Sequence, residues 1–189
     1  TAREEEFEAE SLILTAPIPQ ALEMLRAGYA VLPTYVLAHL VNAQYDPALA
    51  VMLLLNAPSG VPAPGGTAPD HPALAWITDN HAKGISPDGP GVTILTTPAF
   101  TRTHWDAPDD EIVSTVAALA APWLPGNPVA SQVHRWRYSR ATTSYPEPFL
   151  LVDNPAPLMF VGDAFGHGTV EGAALSGLSA GSALLTHLH

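Results

Sequence analysis

The chain has 189 residues, of which 18 are acidic and 7 are lysine or arginine, so its formal net charge is −11, and it contains no cysteine. The acidic balance makes nucleic acid and anionic membranes unfavourable partners, and the lack of thiols excludes disulfides and thiolate metal sites. No apolar run is long enough for a membrane-spanning helix, and no secretory signal is visible at the polar start of the chain. We therefore expect a cytoplasmic protein of one or two domains that binds neither nucleic acid nor membrane.

The first part of the chain alternates strand and helix signals. A strand is expected within residues 8–15, and residues 19–27 predict a short helix that begins with a proline and is stopped by a glycine. An apolar stretch that ends at Val41 predicts a second helix. The turn between strand and first helix contains Ala16 and Pro17, and its spacing alone indicates an ordinary strand-to-helix connection.

Strands dominate the middle of the chain. Apolar segments at residues 48–55, 74–78 and 92–97 predict three of them, and residues 56–72, rich in proline and glycine, predict a loop. The alternation and the turn-rich connections indicate an antiparallel sheet. Carboxylates and a proline at residues 106–111 mark the start of a helix.

The end of the chain predicts a buried strand, a glycine-rich turn and a helix of small residues. Two further strands, at residues 131–138 and 149–152, are expected before it. Residues 158–161 form an apolar run that suits a strand buried on both faces, and the helix extends over residues 173–188. Four glycines lie between them or at the helix start: Gly162, Gly166, Gly168 and Gly172.

This closing segment has a chemical use. A helix N-terminus offers unpaired N–H groups and the positive end of a dipole, which stabilise negative charge on a planar cofactor ring. Asp163, directly after the strand, can accept hydrogen bonds from sugar or ribitol hydroxyls. The small residues of the helix leave room for a flat group or another backbone.

These residues carry a family resemblance. Gly162-Asp163-Ala164, followed by Val170-Glu-Gly-Ala-Ala-Leu-Ser-Gly177, resembles the C-terminal flavin-binding segment of the FAD-dependent amine oxidase superfamily, in its renalase-like branch. Weaker matches run through the middle of the chain: Tyr45-Asp-Pro47, Trp76-Ile-x-Asp-Asn-x-x-Lys83, Pro98-x-Phe100, His104-Trp105 and His134-Arg-Trp-Arg-Tyr-Ser139.

The resemblance implies a fold and a domain order. The fold class is α/β or α+β, with an antiparallel substrate-domain sheet that has helices on one face, and part of a doubly wound, Rossmann-like FAD-binding domain. Residues 1–28 and 153–189 would belong to the FAD-binding domain and residues 29–152 to the substrate domain. No G-x-G-x-x-G fingerprint occurs in the sequence. The chain therefore resembles the C-terminal portion of such a protein, with an N-terminal dinucleotide-binding half as its missing partner.

The function implied is that of an FAD-dependent oxidoreductase. Hydride would pass from a small amine or a dihydronicotinamide-type substrate to the flavin, and oxygen would reoxidise it. The alternative is a non-enzymatic substrate-domain fragment or interaction module. On either interpretation we expect this chain alone to be inactive and to hold FAD weakly or not at all.

The resemblance also implies cofactor-binding residues in two segments. Glu171 could act as a general base by its position, although a carboxylate in the first turn of a helix also simply stabilises that turn. The full set is Ala16, Pro17, Gly162, Asp163, Val170, Glu171, Gly172 and Ala173.

The catalytic residues are unknown, and the candidates for the substrate pocket each have a structural alternative. Asn80 and Lys83 follow a strand and could form only a solvated turn with a surface ion pair. Trp136 and Tyr138 share one strand face, which can be core as well as pocket wall, while the other face carries Arg137. His167 lies in the glycine-rich turn and could be an ordinary loop histidine.

Two further patterns do not carry chemistry. Gly177-Leu-Ser-Ala-Gly181 matches the G-x-S-x-G of serine hydrolases, but it lies inside the predicted helix and no acid follows Ser179. The histidines form no metal-ligand motif, so we expect no metal. His187 and His189 are expected to lie in a frayed end.

Overall fold

The computed structural model describes residues 6–153 and 156–187, which contain both strands and helices. They make an α+β fold. In chain order they are β1 (Leu12–Leu14), α1 (Ile18–Ala27), α2 (Thr34–Leu40), β2 (Tyr45–Leu55), β3 (Gly66–Thr67), β4 (Leu74–Asp79), β5 (Gly91–Thr96), α3 (Pro98–His104), α4 (Asp109–Leu119), β6 (Pro128–Ala141), β7 (Leu150–Asp153), β8 (Pro157–Phe160) and α5 (Val170–His187). None of the helices in these ranges is both long and apolar enough to cross a membrane.

The chain divides into two units, and their borders differ from the predicted domain borders. The first unit contains the chain up to Tyr45 and from Arg140 onward, and the second contains Asp46–Ser139. Residues 29–45 fall in the first unit because Val36 and other apolar side chains of α2 share its core. The assignment of residues 1–28, 29–152 and 153–189 to functional domains stays a prediction.

The second unit is built on a five-stranded sheet with the order β3-β4-β5-β2-β6. Neighbouring strands from β3 to β2 pair antiparallel, as predicted. Val51 of β2 lies opposite Ile94 of β5, which lies opposite Ile77 of β4, and all three are fully buried. Ile112 and Val116, one turn apart on α4, pack on the same face, so a helix covers this side of the sheet.

Two local features of the second unit differ from expectation. Helix α4 begins at Asp109 and not at Asp106, because Pro108 is extended at the N-cap, with φ −57° and ψ 147°. Helix α3 was not predicted from the sequence. Its start carries a recognisable signal, since Thr97 caps it by accepting a hydrogen bond from the Phe100 N–H at 3.3 Å, but its seven residues are too few for a clear apolar period.

The first unit has a mixed three-stranded sheet with the order β1-β8-β7. The strand expected within residues 8–15 is limited to Leu12–Leu14, which pairs parallel with β8, while β7 pairs antiparallel with β8. In β8, Phe160 packs on the side of α1 and α2, whereas Met159 packs on the side of α5. Both are fully buried, which confirms the prediction of a strand covered on two faces.

Candidate functional site

The turn that follows β8 is shaped by glycine. Gly162 has φ 127°, a left-handed conformation that side chains disfavour. Its N–H donates to the Oγ of Ser176 at 3.0 Å, and Ser176 is buried in α5. The end of the central strand is thereby attached directly to the closing helix.

Asp163 organises this turn through both its backbone and its side chain. Its carbonyl accepts hydrogen bonds from the N–H groups of Gly166 and Gly168 at 3.0 and 2.9 Å. Its Oδ2 accepts a hydrogen bond from the N–H of Ala141 at 3.0 Å. Within the described ranges no protein donor bonds the other oxygen, Oδ1. The carboxylate is therefore oriented through Oδ2, and Oδ1 can still accept a hydrogen bond.

The turn and the helix start approach each other more closely than side chains would allow. A Cβ on Gly172 would collide with the backbone of Gly166, and a Cβ on Gly166 would collide with that of Gly172. His167, between the two glycines of the turn, has φ 58° and is exposed. The role of His167 as a candidate pocket residue stays a prediction.

Helix α5 begins with free amides. Thr169 caps the helix. Its Oγ1 accepts a hydrogen bond from the Gly172 N–H at 3.0 Å, and its carbonyl accepts one from the Ala173 N–H at 2.9 Å. The N–H groups of Val170 and Glu171 have no protein acceptor among residues 6–153 and 156–187. Both side chains are exposed, and Glu171 places its charge in the first turn, where the helix dipole favours it.

The second predicted cofactor segment leaves the same edge of the sheet. Because β1 and β8 are parallel, with Leu14 opposite Phe160, the turns that contain Ala16 and Asp163 follow their carboxyl ends side by side. Crevices at this edge of parallel strands are common ligand sites. The structure thus brings together the two groups of residues that the resemblance placed at a cofactor: Ala16 and Pro17 on one side, and Gly162, Asp163, Val170, Glu171, Gly172 and Ala173 on the other.

Tyr45 belongs to this region and was not singled out from the sequence as a site residue. Its Oη accepts a hydrogen bond from the N–H of Ile18 at 3.1 Å, at the start of α1. Burial raises the pKa of Tyr45 to about 12, the hydrogen bond from Ile18 opposes the rise, and the charge of Asp163 adds to it. No local pattern in the sequence joins these residues, which lie far apart along the chain.

In the second unit, Asn80 is held by the turn after β4. Its Nδ2 donates to the Oγ1 of Thr93 at 2.9 Å. A surface cavity of about 380 Å³ lies beside it, lined in part by Met52, Thr93 and Gln132. Lys83 is exposed on the same turn and does not line this cavity. No ion pair involving Lys83 occurs within the described ranges.

The same turn is fixed by a buried carboxylate. Asp79 accepts hydrogen bonds from the Oγ of Ser59 at 2.6 Å and from the N–H of Ala82 at 2.8 Å. Burial by itself would raise the pKa of Asp79, but the hydrogen bonds from Ser59 and from the amides of Ala82 and His81 outweigh it. The pKa of Asp79 therefore lies below its usual value.

The aromatic strand β6 presents its two faces as the alternation predicts. The guanidinium of Arg137 lies 5.5 Å from the ring centroid of Trp105, on the side of α3 and α4. Trp136 is half exposed on the other face, where its ring lies 4.2 Å from that of His134. Tyr138 is on the same side by alternation and partly buried.

The patterns without expected chemistry have structural roles. Ser179 is partly buried within α5, in no strand-to-helix elbow. The prediction that His187 is frayed was wrong: it lies in the last turn of α5, and its Nε2 is 2.9 Å from the Oδ1 of Asp153. His189 lies outside the described residues. Among the residues that are described, no group of three or more histidines and carboxylates could hold a metal ion.

Comparison with known proteins identifies the family of this chain. The family model described as flavin containing amine oxidoreductase matches residues 1–185. Renalase from Mus musculus is 30% identical over 188 residues, which cover 95% of this chain and 54% of renalase, so the chain spans about half the length of this relative. The crystal structure of PF1083 from Pyrococcus furiosus matches 91% of this chain and 40% of its own, with a TM-score of 0.52 and 14% identity, a likeness of fold alone. The chain belongs to the flavin-containing amine oxidoreductase family and is renalase-like within it.

Proposed function

We propose that the protein to which this chain belongs is an FAD-dependent oxidoreductase that takes a hydride from a small amine or a dihydronicotinamide-type substrate, with dioxygen as the final acceptor. The observation that carries the proposal is the carboxylate of Asp163, which the Ala141 N–H orients through one oxygen, in the turn that leads into α5. Within the described ranges the other oxygen and the first amides of α5 have no protein partner. A carboxylate acceptor, unpaired helix amides and a turn without side chains suit a polyol attached to a ring that gains negative charge.

In this proposal four residues of the first unit would hold the cofactor. Asp163 would accept a hydrogen bond from a ribitol hydroxyl, and Gly162 would let the backbone approach closely. The N–H groups of Val170 and Glu171, at the positive end of α5, would favour negative charge on the ring. FAD, when bound, supplies the hydride acceptor, and the protein supplies binding, orientation and electrostatics.

The second unit contains the residues that we propose for substrate binding. Trp136 and Tyr138 would form an aromatic wall on the sheet face away from α4, with Asn80 and Lys83 at its rim. The acidic net charge of −11 favours a cationic amine, and the carboxamide of Asn80 suits the amide of a dihydronicotinamide. Both substrate classes are retained. Arg137 has a structural role against Trp105 in this proposal.

The missing partner of this chain is, in our proposal, an N-terminal dinucleotide-binding half. Helix α5 covers the sheet with one face, yet its opposite face is also apolar and exposed, with Val170 at 91% and Leu178 at 69%. A helix that is apolar all round is normally covered all round. The chain spans about half of its renalase relative, which leaves a comparable length to cover this face. The alternative, a fragment that works without flavin, leaves the face without a partner.

Native mass spectrometry of the purified protein tests this proposal. One FAD and a second polypeptide travelling with the chain would support a flavoenzyme made of two pieces. A chain that is detected alone and without flavin supports the non-enzymatic alternative for this molecule. In the full-length protein, Asp163→Asn should lower the bound flavin per polypeptide, whereas Glu147→Gln, an exposed carboxylate of the same unit, should leave it unchanged. Equal flavin content in both variants would refute the role of Asp163.

A further inference from the structure

Helix α1 begins without a cap of its own. Its N-cap residue is Pro17, whose side chain can accept no hydrogen bond. The first N–H groups of a helix have no partner inside the helix and need an acceptor from elsewhere. The phenol of Tyr45, 27 residues away in sequence, accepts the bond from the Ile18 N–H at 3.1 Å. A side chain distant in sequence thus does what a local Ser, Thr or Asp ordinarily does.

Tyr45 also stands close to the turn after β8. It packs against the core cluster that contains Leu14 and Phe160, at the ends of β1 and β8, and Ile18, at the start of α1. The charge of Asp163 contributes to the high pKa of the phenol, which places that carboxylate within electrostatic reach. At about 12, the pKa keeps the hydroxyl protonated at every physiological pH. The ring therefore anchors in the core while its oxygen holds the start of α1.

We propose that Tyr45 is a positioning residue for the flavin site: it sets the turn at Ala16 and Pro17 relative to Asp163, so that both can contact the same cofactor. The inference rests on the proposed function. The parallel pairing of β1 with β8 aligns the two strands as far as Leu14 and Phe160. Just past them, the Val161 N–H donates to the Leu14 carbonyl at 3.0 Å. Further along the first turn, the hydrogen bond from the Ile18 N–H to Tyr45 restrains the backbone.

The substitution Tyr45→Phe tests this role, because it keeps the ring and removes only the hydroxyl. In the full-length protein we expect the Kd for FAD to rise roughly tenfold, since the partly buried hydrogen bond from the Ile18 N–H is lost. We also expect the visible circular dichroism of the bound flavin to change, because the ring's surroundings shift. Tyr29→Phe is the matched control, since the side chain of Tyr29 is 93% exposed.

The visible dichroism separates positioning from a purely structural role. A variant that only lost stability would have a lower melting temperature and an unchanged spectrum for the flavin it still binds, which would overturn the inference. A Kd and spectrum equal to those of the wild type would overturn it as well. If the wild-type full-length protein binds no FAD, the proposed function fails along with the inference, and the wild-type titration alone shows this.

A second measurement needs no variant. Hydrogen exchange of the Ile18 amide, measured in the wild-type full-length protein, should slow when FAD is added, because the cofactor and the Tyr45 bond restrain the same turn. The amide of Tyr29, which donates to the Arg26 carbonyl at 3.0 Å away from this turn, serves as the reference. An Ile18 amide that exchanges equally fast with and without FAD would contradict the coupling, even if Tyr45→Phe failed to fold.

Discussion

The contact between Gly166 and Gly172 predicts opposite effects for the same substitution at two places in α5. A Cβ on Gly172 would meet the carbonyl carbon, the oxygen and the Cα of Gly166, all of them backbone atoms, so no side chain can rotate away. A Cβ on Gly177 would meet no heavy atom within 4 Å. We therefore expect Gly172→Ala to destabilise the first unit and Gly177→Ala to stabilise it.

The magnitude for Gly172→Ala follows from three contributions. Overpacking costs about 1–3 kcal/mol, and displacing Gly166 weakens its 3.0 Å hydrogen bond to the Asp163 carbonyl, which is worth about 1 kcal/mol. The better helix propensity of alanine returns up to about 1 kcal/mol. The net loss is about 1–3 kcal/mol. For Gly177→Ala only the propensity applies, so we expect a gain of up to about 1 kcal/mol.

Urea unfolding of the 189-residue chain, followed by far-ultraviolet circular dichroism, measures both variants. Tryptophan fluorescence is unsuitable because Trp76, Trp105, Trp123 and Trp136 all lie in the second unit. Amide exchange along α5 assigns the change to the first unit. A Gly172→Ala variant that unfolds at the same urea concentration as the wild type, or later, would refute the reasoning from the backbone collision.

Three further predictions concern the second unit and the outer face of α5. Arg135→Met should destabilise the second unit by about 1–3 kcal/mol in urea unfolding followed by tryptophan fluorescence. The guanidinium of Arg135 donates to the carbonyls of Trp105 and Ala107 and to the carboxylate of Asp109 at 2.7–2.9 Å. Arg102→Met removes a surface ion pair and should cost less than about 1 kcal/mol, so equal losses in the two variants would contradict the prediction. The lowered pKa of Asp79 stabilises the fold above the unfolded-state pKa, and this stability is lost as the pH falls through the folded-state pKa. Asp79→Asn should therefore reduce the free energy of unfolding at neutral pH and make that free energy fall less steeply in acid. A variant whose free energy of unfolding falls as steeply in acid as that of the wild type would disprove the prediction. Leu178 is exposed in this chain, so Leu178→Glu should leave the unfolding of the 189-residue chain unchanged. In the full-length protein the same substitution should lower the melting temperature, because there we expect the outer face of α5 to be covered. Equally small effects in both proteins would argue against coverage of that face.

Much of the fold follows from local signals. The apolar runs at residues 48–55, 74–78 and 92–97 became neighbouring strands, because alternation and turn residues act over a few positions. The doubly buried β8 and the glycine turn with Asp163 were also evident in the sequence. These features depend on side-chain period and backbone freedom, which nearby residues determine.

Only the tertiary structure showed which distant residues contact each other. The sequence pointed to Asp163 but could not show that the Ala141 N–H orients it at 3.0 Å, or that Tyr45 caps α1 from 27 residues away. The collision between Gly166 and Gly172 and the placement of residues 29–45 in the first unit were equally hidden. Such contacts join residues that are distant along the chain, and their formation depends on how whole elements pack. Residue type and spacing therefore determined which groups could bind a cofactor, whereas packing decided how those groups are held and which of their atoms stay free.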